Sequence, residues 1–311
     1  MNTAVVPAKP SQPGSGDPPL GLVVVGTDGS EAGMRAVLRA AAEAVRRGAA
    51  LRIVHAVGVP TAPPRSSGDA PPVVPAQAAA ARLVEAAAAR VLRRHPTLPV
   101  DGDVEVGLPG DILLAAAHDA ELLVVSSRGR GGFANLLLGS VARFLAARTP
   151  CPMLVVRGER GAPSDDGDIV LDGDRVVVGI EGEADAPTAR AAYAEARRWA
   201  LPVHAVHAFA WPGYLGPSEP TPHELESVTE AHQVCLDSAL DPAREAFPDV
   251  FGTAESILGD AAGTVVAATT DATVAVVGVR RRHGLLRHSV GHVAHSVIEH
   301  AGCPVLVVPH A

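Results

Sequence analysis

Aromatic residues amount to 3% of the chain, and a single lysine, Lys9, stands against a large excess of arginine. Hydrophobic residues still reach 47%, so any core must be assembled from Val, Leu, Ile and Ala. The near-replacement of lysine by arginine reads as compositional bias and carries no functional reading. Positive charge is short overall. The formal net charge of −8 argues against a general binder of nucleic acid or anionic membrane, either of which needs a basic face. Cysteine is sparse as well: Cys151, Cys235 and Cys303 lie far apart with no CxxC pair, which disfavours a disulfide scaffold or a structural zinc site. No apolar run approaches a membrane span, and the opening "MNTAVVPAKPSQPGSGDPP" (1–19) lacks the apolar centre of a signal peptide. It reads as a disordered lead. The expectation is a soluble cytoplasmic protein with neither nucleic acid nor membrane as partner.

What the chain has instead is one unit written twice. Its 311 residues suit two domains of roughly 150 residues each. "LVVVGTDGS" (22–30) is echoed by "RVVVGIEGE" (175–183), and "VHAV" (54–57) by "VHAF" (206–209). "DAELLVVSSRG" (119–129) returns as "DATVAVVGVRR" (271–281), and "GSVARFLAARTPCPMLVV" (139–156) as "GHVAHSVIEHAGCPVLVV" (291–308). The order is kept and the shift barely drifts, the signature of tandem duplication. The Gly-, Asp- and Pro-rich stretch at 158–173 reads as a linker between a first domain at 20–157 and a second at 174–310. Pro-rich tracts at 58–75 and 210–222 follow the second strand of each copy and read as insertion loops.

Within the first copy, "LVVVGT", "ALRIVHAV", "VDGDVEV", "ELLVVSS" and "CPMLVV" read as strands, and residues 37–45, 77–93, 111–118 and 139–147 as helices. The strands are nearly continuous apolar runs, as expected where both faces of a parallel sheet are covered. Alternating βα units with right-handed crossovers predict an α/β fold: two tandem doubly wound, Rossmann-like domains, each with a five-stranded parallel sheet ordered 3-2-1-4-5. That order makes strands 1 and 4 neighbours at the topological switch point, where open α/β sheets bind ligands. The end of strand 1 carries Thr27, Asp28, Gly29 and Ser30; the end of strand 4 carries "SSRGRGGFANLLLGS" (126–140).

Three phosphate-loop readings compete for that segment. A Walker loop fails for want of a nearby lysine. The dinucleotide fingerprint is formally matched by Gly129, Gly131 and Ala134, but it belongs to the first βα turn with an acidic residue about 20 positions on, so the match is chance. The third reading uses both ends. Gly129 lets the backbone approach an anion without a Cβ in the way. Gly139 and Ser140 open a helix whose free N–H groups suit phosphate oxygens, with Arg128 or Arg130 adding charge. The plain alternative is a flexible Gly-rich surface loop. For Asp28 the plain alternative is a helix N-cap shared with Ser30, a role that can coexist with ligand binding.

The spacing G-x-x-G, nine residues, G-[S/T], then a hydrophobic helix and a "CPVLVV" strand, resembles the universal stress protein family over nearly the whole of both copies. The resemblance implies this fold, akin to the adenine nucleotide alpha hydrolases, and for one branch of the family it implies ATP binding, here with Mg²⁺. By the same resemblance, Asp28 matches the family's strand-1 aspartate, whose carboxylate bonds ribose or adenine. Gly129 is then the second glycine, Gly139 and Ser140 the closing pair, and Ser126 a small substitute for the first glycine. Main chain at Ala56 and Val125 would frame the base. Arg128 and Val141 would border the phosphates, and Gly26 and Thr27 line the rim.

Copy two departs from the pattern. Gly278 and Gly291 are kept, but Arg281 and His292 replace the second glycine and the serine, and Glu181 replaces the aspartate. At most a weak second site at Glu181, Gly278 and Gly291 is expected. His288, His292, His295 and Glu299 share one helical stripe, read as a solvated or interface face in preference to a metal site. His55 and His207 read as packing and hydrogen-bonding residues, and Cys151 and Cys303 as buried packing. No reaction chemistry stands out: the HxGH and SGGxDS signatures are absent, and no nucleophile–base pair occurs at a defined spacing. The reading is therefore an ATP-binding regulatory module of the stress response and not an enzyme, with slow ATP hydrolysis at most. The alternatives are a nucleotide-independent interaction protein and a weak ATPase. The resemblance also implies pairing of the closing strands between domains, as an intramolecular pseudo-dimer; homodimerisation and a protein partner stay open.

Overall fold

The structure, a computed structural model, describes residues 21–58, 73–129, 138–157, 173–211, 221–280 and 290–310. Domain 1 comprises β1 (Leu22–Gly26), α1 (Glu31–Arg47), β2 (Ala50–Val57), α2 (Val73–Leu92), β3 (Val100–Val106), α3 (Pro109–Ala116), β4 (Leu122–Ser126), α4 (Ser140–Ala146) and β5 (Met153–Val156). Domain 2 repeats the pattern with β6 (Arg175–Gly179), α5 (Ala186–Trp199), β7 (Val203–Phe209), α6 (Pro222–Ala246), β8 (Gly252–Leu258), α7 (Ala261–Ala268), β9 (Ala272–Arg280), α8 (His292–His300) and β10 (Val305–His310). Among the described residues, no helix is long and apolar enough to cross a membrane.

Local signals explain where α1 runs. Apolar periodicity marks only residues 37–45, but the helix begins two turns earlier because the Ser30 side chain accepts from Gly33 N and Glu31 sits in the first turn. It ends where Gly48 adopts a left-handed φ of 63°, behind Arg46 and Arg47. In α3, Pro109 takes the first turn, where its missing N–H costs nothing.

All ten strands form one sheet in the order β3-β2-β1-β4-β5-β10-β9-β6-β7-β8, so each domain has the order 3-2-1-4-5. Pairing is parallel within each domain, and β10 pairs antiparallel with β5, with Val305 opposite Val155 and Val307 opposite Met153. Alternate residues of each strand feed two separate cores. Val23 and Val25 join a cluster packed by α1, α2, α5 and α6. Val24 joins the opposite cluster with residues of α3, α4, α7 and α8. Both clusters run across the domain boundary, which makes the pairing a continuation of the core. The two strands that end the sheet depart from the expected apolar run: β3 exposes Asp101, Asp103 and Glu105 and β8 exposes Thr253 and Glu255, while Val100, Val104 and Ala254 on the alternate face pack against the core.

A buried charge network crosses from α1 to α5. Glu43 binds Arg39 at 3.0 Å and Arg47 at 3.4 Å; Arg47 then reaches Glu195, which also holds Arg198 at 2.8 Å. The Trp199 ring lies under Arg46 at 3.9 Å and Arg39 at 4.6 Å. Burial works against the Arg47 charge, but Glu195 and Glu43 outweigh it and hold the guanidinium above the ordinary arginine range.

Candidate functional site

β2 and β4 flank β1, so Ala56 and Val125 lie on either side of Gly26 and Thr27 at the carboxyl end of the sheet. Thr27 leaves β1 with its N–H on Val54 O at 3.0 Å. Its own carbonyl accepts from His55 Nδ1 at 2.8 Å, which gives His55 a structural duty. Gly26 is a close approach: a Cβ there would meet Leu113 of α3 at 2.7 Å. Gly29 turns the chain with a φ of +77°.

Asp28 is held by the helix that follows it. Its Oδ1 accepts from Ser30 N at 2.9 Å and from Ser30 Oγ at 2.6 Å, while Ser30 Oγ accepts from Gly33 N at 3.0 Å. Capping and orientation of the carboxylate are thus one hydrogen-bond chain. A Cβ added at Gly129 would lie 2.6 Å from Asp28 Oδ2. The ends of β1 and β4, a hundred residues apart in sequence, therefore meet at the switch point, and the meeting requires a glycine.

The other end of the loop returns to the same place. Gly139 N donates to Ser127 O at 2.7 Å, and Ser127 N donates to Val156 O at 2.8 Å. A Cβ at Gly139 would meet Ser127 O at 3.3 Å and Arg128 Cα at 3.8 Å. Ser126 Oγ donates to Arg128 O at 2.6 Å, so the serine in the first glycine position closes the turn. Arg128, Gly129 and Ser140 are exposed, and Val141 packs partly into the core. Arg130 lies outside the described residues. Sequence reasoning passed over Ser127, whose backbone ties β5 to Gly139; only the register of β4 against β5 reveals it.

The equivalent positions of domain 2 are arranged differently. The Glu181 side chain is 86% exposed and faces Arg280 at 3.8 Å. A different acid, Asp185, takes over the turn after β6, its Oδ2 accepting from Glu181 N at 2.7 Å and Gly182 N at 3.3 Å. Asp185 Oδ1 lies 3.2 Å from His310 Nε2, both side chains being buried. A Cβ at Gly278 would meet Thr188 Oγ1 at 2.6 Å, Asp185 Oδ1 at 2.8 Å and His310 Nε2 at 2.8 Å. Beside β7, His207 Nδ1 donates to Ile180 O at 2.9 Å, and its Nε2 meets His232 Nδ1 at 2.8 Å. The His232 ring stacks on Phe209 at 4.1 Å. Gly291 has open space where a Cβ would stand. Arg281 and His288 lie outside the described residues. On α8, His292 meets Ser296 at 3.3 Å and His295 meets Glu299 at 3.4 Å, and no three metal-ligating side chains converge among the described residues. Cys151 and Cys303 are buried and unbridged.

Two doubly wound domains sharing one sheet define a tandem Rossmann-like protein. The chain belongs to the universal stress protein family, whose model matches residues 21–157 and again 173–309. A universal stress protein of Mycobacterium tuberculosis is 30% identical over 300 residues, spanning 92% of this chain and 96% of that one. A universal stress protein from Archaeoglobus fulgidus shares the fold with a TM-score of 0.66 at 16% identity, covering 93% of this chain and 98% of that one. A universal stress protein solved in complex with cAMP is 30% identical and covers 44% of this chain and 97% of that one, with a TM-score of 0.33.

Proposed function

We propose that the protein is an ATP-binding regulatory module of the stress response, acting in the cytoplasm, with the nucleotide held by domain 1 (20–157) and not by domain 2 (174–310), the two joined through 158–173. The observation that supports this reading most directly is the convergence of Asp28, Gly129 and Gly139 at the switch point. Two glycines leave bare backbone beside an oriented carboxylate, which suits a ligand carrying both hydroxyl donors and phosphate oxygens. Asp28 would accept from ribose or adenine. Main chain at Ala56, Val125, Gly26 and Thr27 would border the base, and Ser126, Arg128, Gly129, Gly139, Ser140 and Val141 the phosphates. Mg²⁺ would enter with the phosphates, whose oxygens supply ligands to it.

In domain 2, Asp185, Thr188 and His310 occupy the space beside Gly278, and the His232–Phe209 stack occupies the flank of β7. This supports one nucleotide per chain. The β5–β10 pairing supports a chain that is its own pseudo-dimer. Binding would favour one arrangement of the rim at Arg128 and Gly139, and a protein partner would read the difference.

The test is to denature freshly purified protein and identify any released nucleotide, then to titrate with Mg-ATP. Ligand at 100 times its dissociation constant should raise stability by about 2.7 kcal/mol. Asp28→Ala and Gly139→Val should each remove most of that gain, and the stoichiometry should be one. Absence of released nucleotide together with no thermal shift sinks the proposal in favour of a nucleotide-independent interaction protein. Phosphate release that disappears in Gly139→Val would make the protein an ATPase.

A further inference from the structure

Arg157 follows β5 directly, at the rim where Ser127 and Gly139 meet, because Ser127 N donates to the carbonyl of the preceding Val156. Its side chain crosses to the other domain. Nη1 donates to Ile298 O and Nη2 donates to Glu299 O at 2.5 Å, so one guanidinium covers carbonyls in the last turn of α8. The equivalent helix of domain 1, α4, is served from within its own domain, where Arg148 donates to Phe144 O at 3.2 Å. At the end of β10 the residue matching Arg157 is Pro309. The crossing is therefore one-sided and starts at the domain 1 crevice. Burial first, and then the charge of Arg128, hold the Arg157 guanidinium below the ordinary arginine range. Cys303 and the Glu299 carboxylate act the other way without offsetting these effects, so an added anion between the two arginines would relieve both.

Resting on the reading that domain 1 binds ATP, we propose that Arg157 is a second arginine of that site, shared between the ligand's phosphate chain and α8 of domain 2. A guanidinium has five N–H donors, and the bonds to Ile298 and Glu299 use two of them. In this proposal the remaining donors take up an anion lying between Arg128 and Arg157 while the two bonds to α8 are kept. Phosphate occupancy in domain 1 then fixes Arg157 more firmly and tightens the last turn of α8, which carries occupancy of one domain into the other.

The experiment compares ATP, AMP and inorganic tripolyphosphate by calorimetry on the full chain, with hydrogen exchange of residues 292–300 read alongside. In wild type, ATP should slow exchange in α8 and AMP should not. Arg157→Gln should lower ATP affinity about tenfold or more while AMP changes less than about threefold, and should abolish the effect of ATP on α8. Arg128→Gln, at an exposed position, should show the same preference for losing ATP without altering α8 in the absence of ligand. Equal losses for ATP and AMP in Arg157→Gln, or an α8 indifferent to ATP in wild type, overturn the role of Arg157 and leave nucleotide binding intact. Wild type that binds none of the three ligands overturns both readings.

Discussion

Glu195→Ala is the substitution whose cost follows most directly from the fold. The Glu195 side chain is 6% exposed and the Arg47 side chain it holds is 7% exposed, so water does little to screen the pair. Without Glu195, Arg47 has only Glu43 at 3.4 Å, and Glu43 is already matched by Arg39 at 3.0 Å. One buried guanidinium is left uncompensated, which costs about 3–5 kcal/mol. At roughly 2–4 °C per kcal/mol for chains of comparable size, the midpoint should fall by about 10 °C. Urea unfolding followed by circular dichroism measures the loss. Emission from Trp199, which stacks on Arg39 and Arg46, reports whether the network opens first when read in a Trp211→Phe background. The control is Arg47→Met combined with Glu195→Met. It leaves Arg39 balanced by Glu43 and should lie within about 1.5 kcal/mol of wild type or above it, since apolar replacement of a buried ion pair is often neutral or stabilising. A single-variant cost under about 1 kcal/mol, or a double variant as weak as the single one, would refute the reasoning.

Three further outcomes are expected. Gly129→Ala places a Cβ 2.6 Å from Asp28 Oδ2, so the ATP-dependent thermal shift should vanish while the circular dichroism spectrum stays unchanged. Ser30→Ala removes both the α1 cap and the donor to Asp28, and should cost about 1 kcal/mol in urea unfolding together with a weaker response to ATP. Burial, and then His207, hold the His232 imidazole below the ordinary histidine range. The unfolded chain thus takes up this proton more readily than the folded one. The stability linked to His232 is present above the unfolded value of about 6.5 and is lost as pH falls through the lower folded value. Wild type should therefore lose more stability between about pH 7.5 and pH 5.5 than His232→Phe, which keeps the stack on Phe209.

The sheet order and the duplication were legible in the sequence because parallel strands covered on both faces leave unbroken apolar runs. β3 was read at its full extent, Val100–Val106, although its exposed carboxylates depart from the apolar run of the other domain 1 strands. The meeting of Asp28, Gly129 and Gly139 was legible because strand order puts the ends of strands 1 and 4 side by side, while the glycine spacing singled out the positions. The contacts of Ser127 and Arg157 were not: they arise from the β4–β5 register and from the antiparallel pairing that brings the end of α8 to the end of β5. Asp185 also escaped notice. The matching position, Ala32, carries no acid, so the repeat pointed to Glu181, whose longer side chain turned outward while Asp185 took the turn.

The antiparallel junction between β5 and β10 has a consequence for how the two copies could diverge. Because every strand of domain 2 runs opposite to every strand of domain 1, the two crevices open on opposite rims of the shared sheet. The molecule has a front and a back. Asp185, Thr188 and His310 meet beside Gly278 on the rear rim, away from Asp28 and Gly129 on the front one, so a duplicated chain can change one copy without crowding the other. Across that divide, Arg157 at the front rim still holds the last turn of α8, so one side chain ties the two faces together.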